Sequence, residues 1–448
     1  MRALVETIDV QWRRELGPML KLAVPLALAE LGWVAMGLED TVMAGRLGPA
    51  ALGAGSLGAM LFYPLAICGT GLLLGMDTLV AQAFGAGQPR ECRRTLRNGV
   101  WLAAALAPVV AVAELGMIPL VRAAGANPRI LVLFVPFLKA LLWGILPLLL
   151  YTALRCYLQA VDVVKPVTFA LVSANVVNVA GNWALMFGHW GAPAMGMEGS
   201  GWSTTIARVY MAAVLVAALA WHERRSASRW WAARWRPEWR RIRQLLGLGL
   251  PVAGQILFEG AVFGLISVMA ARLDDVSVAA HSIAISVVST TYMVPLGISS
   301  AAAVRVGQAV GAGQPRGAAA RGWTALALGA GFMGSAGVAL EFAPRWIVRL
   351  YSGDGAVVAS GAVLLRIAAL FQLFDGLQVV ATGALRGLGD TRTAMLAHLA
   401  GYWGVGLPMA YVLCFNYRWG ISGIWLGLAA TLILIGLALV AAWRRRVR

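Results

Sequence analysis

Two carboxylate side chains lie in the middle of long apolar stretches of this 448-residue sequence. Glu259 occurs in the sequence GQILFEG and Asp375 in FQLFDGLQ, and neither has a basic residue within one helical turn. An ionisable group at bilayer depth is costly and is typical of a functional site. Such carboxylates can exchange a proton or, with neighbouring carbonyl oxygens, bind a hard cation such as Na⁺. The alternative is a protonated acid that joins two helices through a hydrogen bond.

Further polar residues fall within or beside apolar stretches. Glu39 and Asp40 lie close to the end of the first stretch, where a pairing at the membrane surface is the alternative to a buried role. Asn178 and Asn182 are four residues apart and share one helical face. They either complete a polar pocket with Asp40 or join helices by hydrogen bonds. His281 is a candidate proton relay, although a lone histidine is more often a packing residue with satisfied hydrogen bonds.

The elements that must position these residues are membrane-spanning helices. Hydrophobic residues make up 60% of the chain and charged residues 13%, which excludes an average soluble domain. Hydropathy windows of about 19 residues predict an all-α integral membrane protein with twelve transmembrane helices. The predicted spans are 17–37, 50–72, 98–118, 130–152, 166–187 and 196–221 in the first half, and 246–270, 276–300, 320–341, 357–382, 393–414 and 420–442 in the second.

The charged residues are strongly basic, with 37 Lys and Arg against 20 Asp and Glu and a net charge of +17. Most of the basic residues fall in connectors on one side of the predicted spans. The positive-inside rule then places both termini in the cytoplasm, so the charge orients the protein and no nucleic-acid partner is expected. No cleavable signal peptide is predicted. Glu114 lies nearer a predicted span end, and the long side chain of Arg208 can extend to the interface, so interfacial or structural roles are expected for both.

The connector 222–245 is rich in arginine and tryptophan, including Trp230, Trp231 and Trp235. This composition predicts an amphipathic linker that contacts lipid on the inner leaflet. The four cysteines show neither metal-ligand spacing nor a disulfide pattern.

The two halves of the chain repeat one another. The sequence GAGQPR occurs at 85–90 and again at 311–316. MAGRL at 43–47 matches MAARL at 269–273 at the same spacing, and GMEG at 196–199 matches GISG at 420–423 at nearly that spacing. Repeats with six spans each have the same orientation in the membrane, an architecture of secondary transporters. We therefore predict six-helix bundles at 1–221 and 246–448, joined by the linker 222–245.

One short motif suggests a different function. The residues 387–390 spell GLGD, a pattern of intramembrane aspartyl proteases that would pair Asp390 with Asp375. This segment lies in a predicted cytoplasmic connector beside Arg386 and Arg392, where a membrane-embedded catalytic aspartate does not belong. Since the sequence also lacks a Walker A motif and HExxH, we expect no enzymatic activity.

Taken together, these segments resemble the multidrug and toxic compound extrusion (MATE) family, in its NorM-like branch. The resemblance rests on DTVMAGR (40–46), VAQAFGAG (80–87), LFE (257–259), AAHSIA (279–284), VRVGQ (304–308) and QVVATGALRG (378–387). It implies two six-helix bundles in the bacterial inner membrane that export cationic and aromatic drugs in exchange for Na⁺ or H⁺. It also implies a monomer without a cofactor. The alternative is a flippase for lipid-linked oligosaccharide or peptidoglycan precursors, which would need a cationic cavity, and mid-span Lys and Arg are scarce.

The resemblance also implies roles for single residues. Glu259 and Asp375 match the cation-binding carboxylates of the C-terminal lobe and form a candidate Na⁺ site, and Asp40 matches the acidic residue of the N-terminal lobe. The substrate cavity is expected to involve the following residues: Asn178, Asn182, Glu39, His281, Gln378 and Phe371. Three positions depart from related members: Phe371 replaces a frequent Tyr, Ser282 replaces the usual Gln, and Asn182 stands where some proton-coupled members carry Asp.

Overall fold

The computed structural model describes residues 2–123, 125, 127–225 and 236–447, with side chains from residue 15 onward except that of residue 225. Within these ranges the regular secondary structure is helical and no strand occurs. The core of the predicted linker, including Trp230, Trp231 and Trp235, lies outside the described residues.

The helices follow the predicted spans closely. The first half of the chain forms α1 (Arg2–Arg46), α2 (Pro49–Leu73), α3 (Gly75–Gly85), α4 (Pro89–Ala123), α5 (Pro128–Trp143), α6 (Ile145–Ala160), α7 (Lys165–Gly181), a π-helical turn (Asn182–Met186) and α8 (Met197–Arg225). The second half forms α9 (Trp239–Ala270), α10 (Asp275–Gly311), α11 (Pro315–Phe342), α12 (Pro344–Arg349), α13 (Gly355–Leu388), α14 (Thr391–His398), a π-helical segment (Leu399–Gly406), α15 (Leu407–Tyr411), a π-helical turn (Val412–Asn416) and α16 (Gly420–Arg446).

Ten of these helical segments are long and apolar enough to cross a membrane, or eleven when α5 and α6 are taken as one span with a 42° bend. The predicted span 393–414 is helical but is divided among α14, α15 and two π-helical segments. Its polar and aromatic residues, among them His398 and Tyr402, reduce its hydropathy. Twelve transmembrane helices therefore stay a prediction, whereas the all-helical architecture is confirmed, with ten or eleven candidate spans among the described residues.

The helices group into two compact units. The first unit is Leu28–Ala253, and the second unit combines Met1–Ala27 with Gly254–Arg448. The boundaries fall inside α1 and α9, at corresponding positions of the two repeats, and not in the connector between α8 and α9. Each of these two helices thus contributes its first part to one unit and its last part to the other.

The sequence repeat is also a repeat of backbone geometry. In the first unit α3 ends in a turn where Gly87 has φ +67° and the Gln88 N–H donates to the Ala83 carbonyl at 2.9 Å. In the second unit α10 ends in the same turn, where Gly313 has φ +68° and the corresponding hydrogen bond is also 2.9 Å. A positive φ is readily adopted by glycine, and the proline that follows begins the next helix in both units.

In the second unit α13 is the central helix and packs against α10, α11 and α16. Glycines permit its close approach to α10: a Cβ at Gly387 would lie 2.6 Å from the Ala303 carbonyl oxygen. The Ser299 hydroxyl of α10 also donates to the Val379 carbonyl of α13 at 2.7 Å. This packing fixes the middle of α13, which carries Asp375, inside the unit.

In the first unit, ion pairs hold the beginning of α9. The Arg94 guanidinium on α4 donates to the carboxylate of Glu238, and Arg241 pairs with Glu91. The hydrogen bond from Arg94 holds the pKa of Glu238 below its usual range. The first part of α1 is held similarly in the second unit, where Arg305 donates to Glu15 at 2.6 Å.

Candidate ion and substrate sites

Glu259 on α9 and Asp375 on α13 lie together in the second unit, close enough to interact electrostatically. Asp375 is buried and accepts a hydrogen bond from Gln378 Nε2 at 2.9 Å. Glu259 is half-buried, and the Tyr402 hydroxyl donates to its Oε1 at 3.4 Å. Among the described residues, no basic side chain contributes to the electrostatic environment of either carboxylate. The structure thus brings together the two carboxylates that the sequence singled out.

The surroundings of this pair supply further oxygen atoms. Gln378 is buried, and its Oε1 has no hydrogen-bond partner. Tyr402 is also buried and lies within hydrogen-bonding reach of the Gln378 side chain. In the described part of the chain no three His, Cys, Asp or Glu side chains are grouped as metal ligands. The donor set is therefore two carboxylates, one amide and one hydroxyl, a set of oxygens suited to a hard cation.

Phe371 lies one turn before Asp375 on α13 and is buried against an aromatic neighbour. Its ring centroid is 6.3 Å from that of Trp425, whose indole Nε1 donates to His281 Nδ1 at 3.2 Å. His281 Nε2 lies 3.2 Å from the Ser267 hydroxyl. Both ring nitrogens of His281 thus have partners away from the carboxylate pair. Phe371 and His281 share a contact with Trp425, and neither supplies an oxygen ligand.

A second polar cluster occupies the first unit around Asp40. The side-chain amides of Asn178 and Asn182 both donate to Asp40 Oδ1 at 2.7 Å, and the Thr204 hydroxyl lies 3.4 Å from Oδ2. Ser203 orients Asn178 by donating to its backbone carbonyl at 2.7 Å. Asn182 begins the π-helical turn that follows α7, and such turns are frequent at functional sites. The interpretation of Asn178 and Asn182 as partners of Asp40 therefore has a geometric basis.

Two charged residues that were expected to have interfacial or structural roles are buried. Glu114 on α4 is 0% exposed and Arg208 on α8 is 1% exposed. Arg208 interacts electrostatically with Glu114 and with Asp40, and its guanidinium carbon lies 4.8 Å from the centre of the Phe62 ring. Of the two expected roles, interfacial or structural, this burial favours the structural one, because the interior of the bundle supplies an opposite charge to each residue. Asp40 consequently has a cationic neighbour that the Glu259–Asp375 pair lacks.

Asp40 and Phe62 line a cavity of about 150 Å³ between α1, α2, α5 and α8. Thr204 and Tyr63 also face it, whereas none of its lining residues is Lys or Arg. Glu39 lies elsewhere, in an open pocket of about 480 Å³ beside α7. Glu39 and Asp40 are adjacent in sequence, but successive residues of a helix point about 100° apart. The structure therefore does not bring Glu39 into the Asp40 cluster.

Asp390, the second aspartate of the protease hypothesis, has a structural role. It caps α14 by accepting a hydrogen bond from the Thr393 N–H at 3.1 Å, and it forms an ion pair with Arg446 at 2.7 Å. Asp375 lies about 20 Å away along the axis of α13, at about 1.5 Å per residue. The two aspartates cannot form a catalytic pair.

Sequence reasoning missed several residues of these clusters. Tyr402 and Thr204 contact predicted acidic residues and were not singled out, and Arg208 was noted but not linked to Asp40. Tyrosine and threonine are common in membrane helices, so their presence alone gives little signal. Arg208 gave a stronger sequence signal, because an arginine inside a predicted span needs an anionic partner.

The chain matches the sequence model of a known family. The MatE family model matches residues 25–184 and 251–412, one match in each repeat. The chain belongs to the MatE family. This membership confirms the resemblance found in the sequence.

Curated bacterial MatE relatives match nearly the whole chain. The probable multidrug resistance protein NorM of Mesorhizobium japonicum is 37% identical over 444 residues, which cover 98% of this chain and 95% of that protein. The multidrug resistance protein PmpM of Pseudomonas aeruginosa is 34% identical over 452 residues, covering 97% and 93%.

Solved structures show the same MatE fold. The eukaryotic MATE transporter AtDTX14 superposes with a TM-score of 0.88 at 20% identity and covers 98% of both chains. The Vibrio cholerae MATE transporter VcmN in the bent form superposes with a TM-score of 0.83 at 16% identity, again covering 98% of both chains.

Proposed function

We propose that this MatE protein is a multidrug efflux transporter that exports organic cations in exchange for Na⁺ or H⁺. The observation that carries the proposal is the pairing of Glu259 with Asp375, a half-buried and a buried carboxylate without a basic neighbour among the described residues. Two uncompensated negative charges in such a place need a cation. Multidrug resistance is the role named for the NorM and PmpM relatives, which supports the assignment of the substrate class.

Exchange follows from competition for the same charges. When the pair is ionised, it attracts a cationic drug. When a proton or Na⁺ neutralises it, the electrostatic attraction for the drug is lost. Coupling is then the difference in drug affinity between the two states of the pair. The unpartnered Gln378 Oε1 and the Tyr402 hydroxyl would complete the oxygen ligands for Na⁺.

Asp40 has a different part in this proposal. Arg208 interacts electrostatically with its carboxylate, and Asn178 and Asn182 donate to it, so Asp40 already has protein partners that the Glu259–Asp375 pair lacks. We assign the primary coupling site to Glu259 and Asp375. Asp40 shapes the cavity that it shares with Phe62, where an apolar or aromatic part of a substrate can bind.

We further propose that the protein works as a monomer of two six-helix bundles in the bacterial inner membrane, with both termini in the cytoplasm. The distribution of basic residues supports this orientation. Alternating exposure of the sites to the two sides of the membrane would complete the transport cycle, and it needs no enzymatic step and no organic cofactor. Phe371, His281 and Glu39 then contribute through packing or through drug contact and do not bind the coupling ion.

The flippase alternative is less well supported. A pyrophosphate-bearing lipid needs a cationic cavity, but the Asp40 cavity is lined by no Lys or Arg. Arg208, a buried arginine that lies against Phe62 of this cavity, is already opposed by Glu114 and Asp40.

Ethidium transport in proteoliposomes tests the proposal. A Na⁺ gradient at fixed pH and a pH gradient without Na⁺ are imposed separately, and one of them should drive efflux. Asp375→Asn keeps an oxygen acceptor for Gln378, so the protein should fold while ion-driven efflux is abolished. Glu341→Gln is the matched control because Glu341 is a half-exposed carboxylate with only a 4.0 Å contact to Arg366. Undiminished efflux by the Asp375 variant would contradict the site assignment.

A further inference from the structure

The open pocket beside Glu39 combines negative charge with aromatic surface. It lies in the first unit, has a volume of about 480 Å³, and is lined by Glu39, Asn175, Val176, Val179, Trp183 and Trp190, together with Ala180. No lining residue is basic. We call it the Glu39 pocket. Its volume is in the range of pockets that hold drug-sized molecules, roughly 300–1,000 Å³.

Two acceptor oxygens of this pocket lack partners. Glu39 Oε2 and Asn175 Oδ1 are buried atoms without a hydrogen-bond partner. The neighbouring Asp40 carboxylate adds to the negative potential at Glu39. Unpaired buried acceptors cost free energy, and a positive charge bound in the pocket would offset the negative potential around them.

The two tryptophans are held in place by their backbone and neighbours. Trp183 lies in the π-helical turn, and the His189 ring stacks on it with a centroid separation of 3.9 Å and an interplanar angle of 11°. Trp190 follows in a turn with φ +57°, a conformation that is strained for a bulky residue. Its side chain is 77% exposed. The turn thus keeps a large aromatic surface at the edge of the pocket.

The carboxylate is not required by the duplicated scaffold. At the repeat spacing that aligns MAGRL with MAARL, Glu39 corresponds to Leu265 of α9. An apolar residue therefore suits the same helix position in the second unit. The charge in the first unit is a feature of this repeat alone.

We propose that the Glu39 pocket is a separate binding site for a bulky organic cation, with Glu39 as counter-ion and the two tryptophans as cation–π surfaces. The proposal rests on the proposed function, since it assigns a second site to the same class of substrate. Val176 and Val179 favour a lipophilic cation over a small hydrated ion. A lipid ethanolamine headgroup offers similar ammonium chemistry and is the other source of such a ligand.

Binding of tritiated tetraphenylphosphonium to the full-length protein in phosphatidylglycerol nanodiscs tests the pocket. The background variant Glu259→Gln/Asp375→Asn removes the paired carboxylates. The remaining saturable binding then comes from the Glu39 pocket and the Asp40 cavity, and the Glu39 and Trp190 variants isolate the share of the Glu39 pocket. In that background Glu39→Gln should raise Kd about tenfold through loss of the partly desolvated charge. Trp190→Leu should raise it about two- to fivefold, as expected for one cation–π contact, whereas Trp190→Phe should change it little.

Further measurements distinguish a misfolded variant, a wrong pocket assignment and a wrong proposed function from one another. Trp190 lies in an exposed turn, so its variants still test the pocket if Glu39→Gln reduces folding. Glu341→Gln is the control and should leave Kd unchanged. If the lipid headgroup is the natural ligand of the pocket, addition of phosphatidylethanolamine weakens tetraphenylphosphonium binding. If organic cations such as drugs are the ligands, the binding is unchanged. Absent binding in the background variant, or binding unaffected by Glu39 and Trp190, overturns the pocket. Wild-type ethidium efflux is measured in parallel, and its absence would overturn the proposed function instead.

Discussion

Removal of the Asp40 carboxylate should destabilise the first unit by an amount set by two buried amides. Asn178 and Asn182 are both 0% exposed, and both donate to Asp40 Oδ1 at 2.7 Å. Asp40→Ala leaves these N–H groups without an acceptor. A buried group left unsatisfied costs about 1–3 kcal/mol, so the expected loss is about 2–6 kcal/mol in the free energy of unfolding.

Asp40→Asn removes the negative charge and keeps a hydrogen-bond acceptor at the same position. The asparagine oxygen can still accept from both amides, although a hydrogen bond to a neutral acceptor is weaker than one to a carboxylate. We expect Asp40→Asn to cost about 1–2 kcal/mol, clearly less than Asp40→Ala. Both variants should transport ethidium more slowly, because both remove the charge that faces the cavity.

Denaturation midpoints of the purified protein in detergent measure this difference. Thr41→Val is a matched control, because Thr41 lines the same cavity but donates only within α1, to the Gly37 carbonyl at 2.8 Å. The order of stability should be wild type and Thr41→Val, then Asp40→Asn, then Asp40→Ala. Equal midpoints for Asp40→Ala and wild type would refute the idea that the carboxylate satisfies the two amides.

Two further predictions concern the first part of α9. Gly249→Ala should destabilise the protein by about 1–3 kcal/mol, because the new methyl group would overlap the Leu72 carbonyl oxygen; denaturation midpoints measure this loss. Acidification should loosen the start of the helix. Because Arg94 lowers the pKa of Glu238, their interaction contributes fully above the ordinary glutamate pKa and is lost as the pH falls through the lowered pKa. Amide hydrogen exchange at 239–246, compared between wild type and Glu238→Gln, measures the loosening.

Each of these predictions has an internal control. A Cβ at Gly247 meets nothing within 4 Å, so Gly247→Ala should be neutral or slightly stabilising through helix propensity. Equal destabilisation by the two glycine variants would show that packing against α2 is not the cause. For Glu238, the difference between wild type and variant should vanish at low pH. A difference that persists there would show that the carboxylate charge does not anchor α9.

The fold was predictable because each membrane span can be recognised from its own stretch of sequence. About twenty apolar residues in a row must cross a bilayer, and a repeated turn such as GAGQPR must repeat its backbone. The span 393–414 is the hardest to recognise by hydropathy, because His398 and Tyr402 make it less apolar. Both residues lie in the polar interior of the second unit, where the Tyr402 hydroxyl donates to Glu259.

The clusters were only partly predictable because partners on different helices leave no spacing in the sequence. Asn178 and Asn182 share a helical face, which suggested a common partner, and the structure shows it to be Asp40. Glu114 and Arg208 are far apart in sequence, so their mutual compensation could not be inferred from local pattern. Opposite charges that meet inside a bundle are visible only once the helices are packed.

The division of α1 and α9 between the compact units has a consequence for synthesis. The first unit, Leu28–Ala253, is complete only after the first part of α9 has been made, and that part belongs to the second repeat. Residues 1–27, which are made first, join a unit whose remaining residues are made last. Neither compact unit is therefore built from the residues of one repeat alone. A gene cut between the repeats would therefore encode two fragments that must exchange helix halves before either becomes complete.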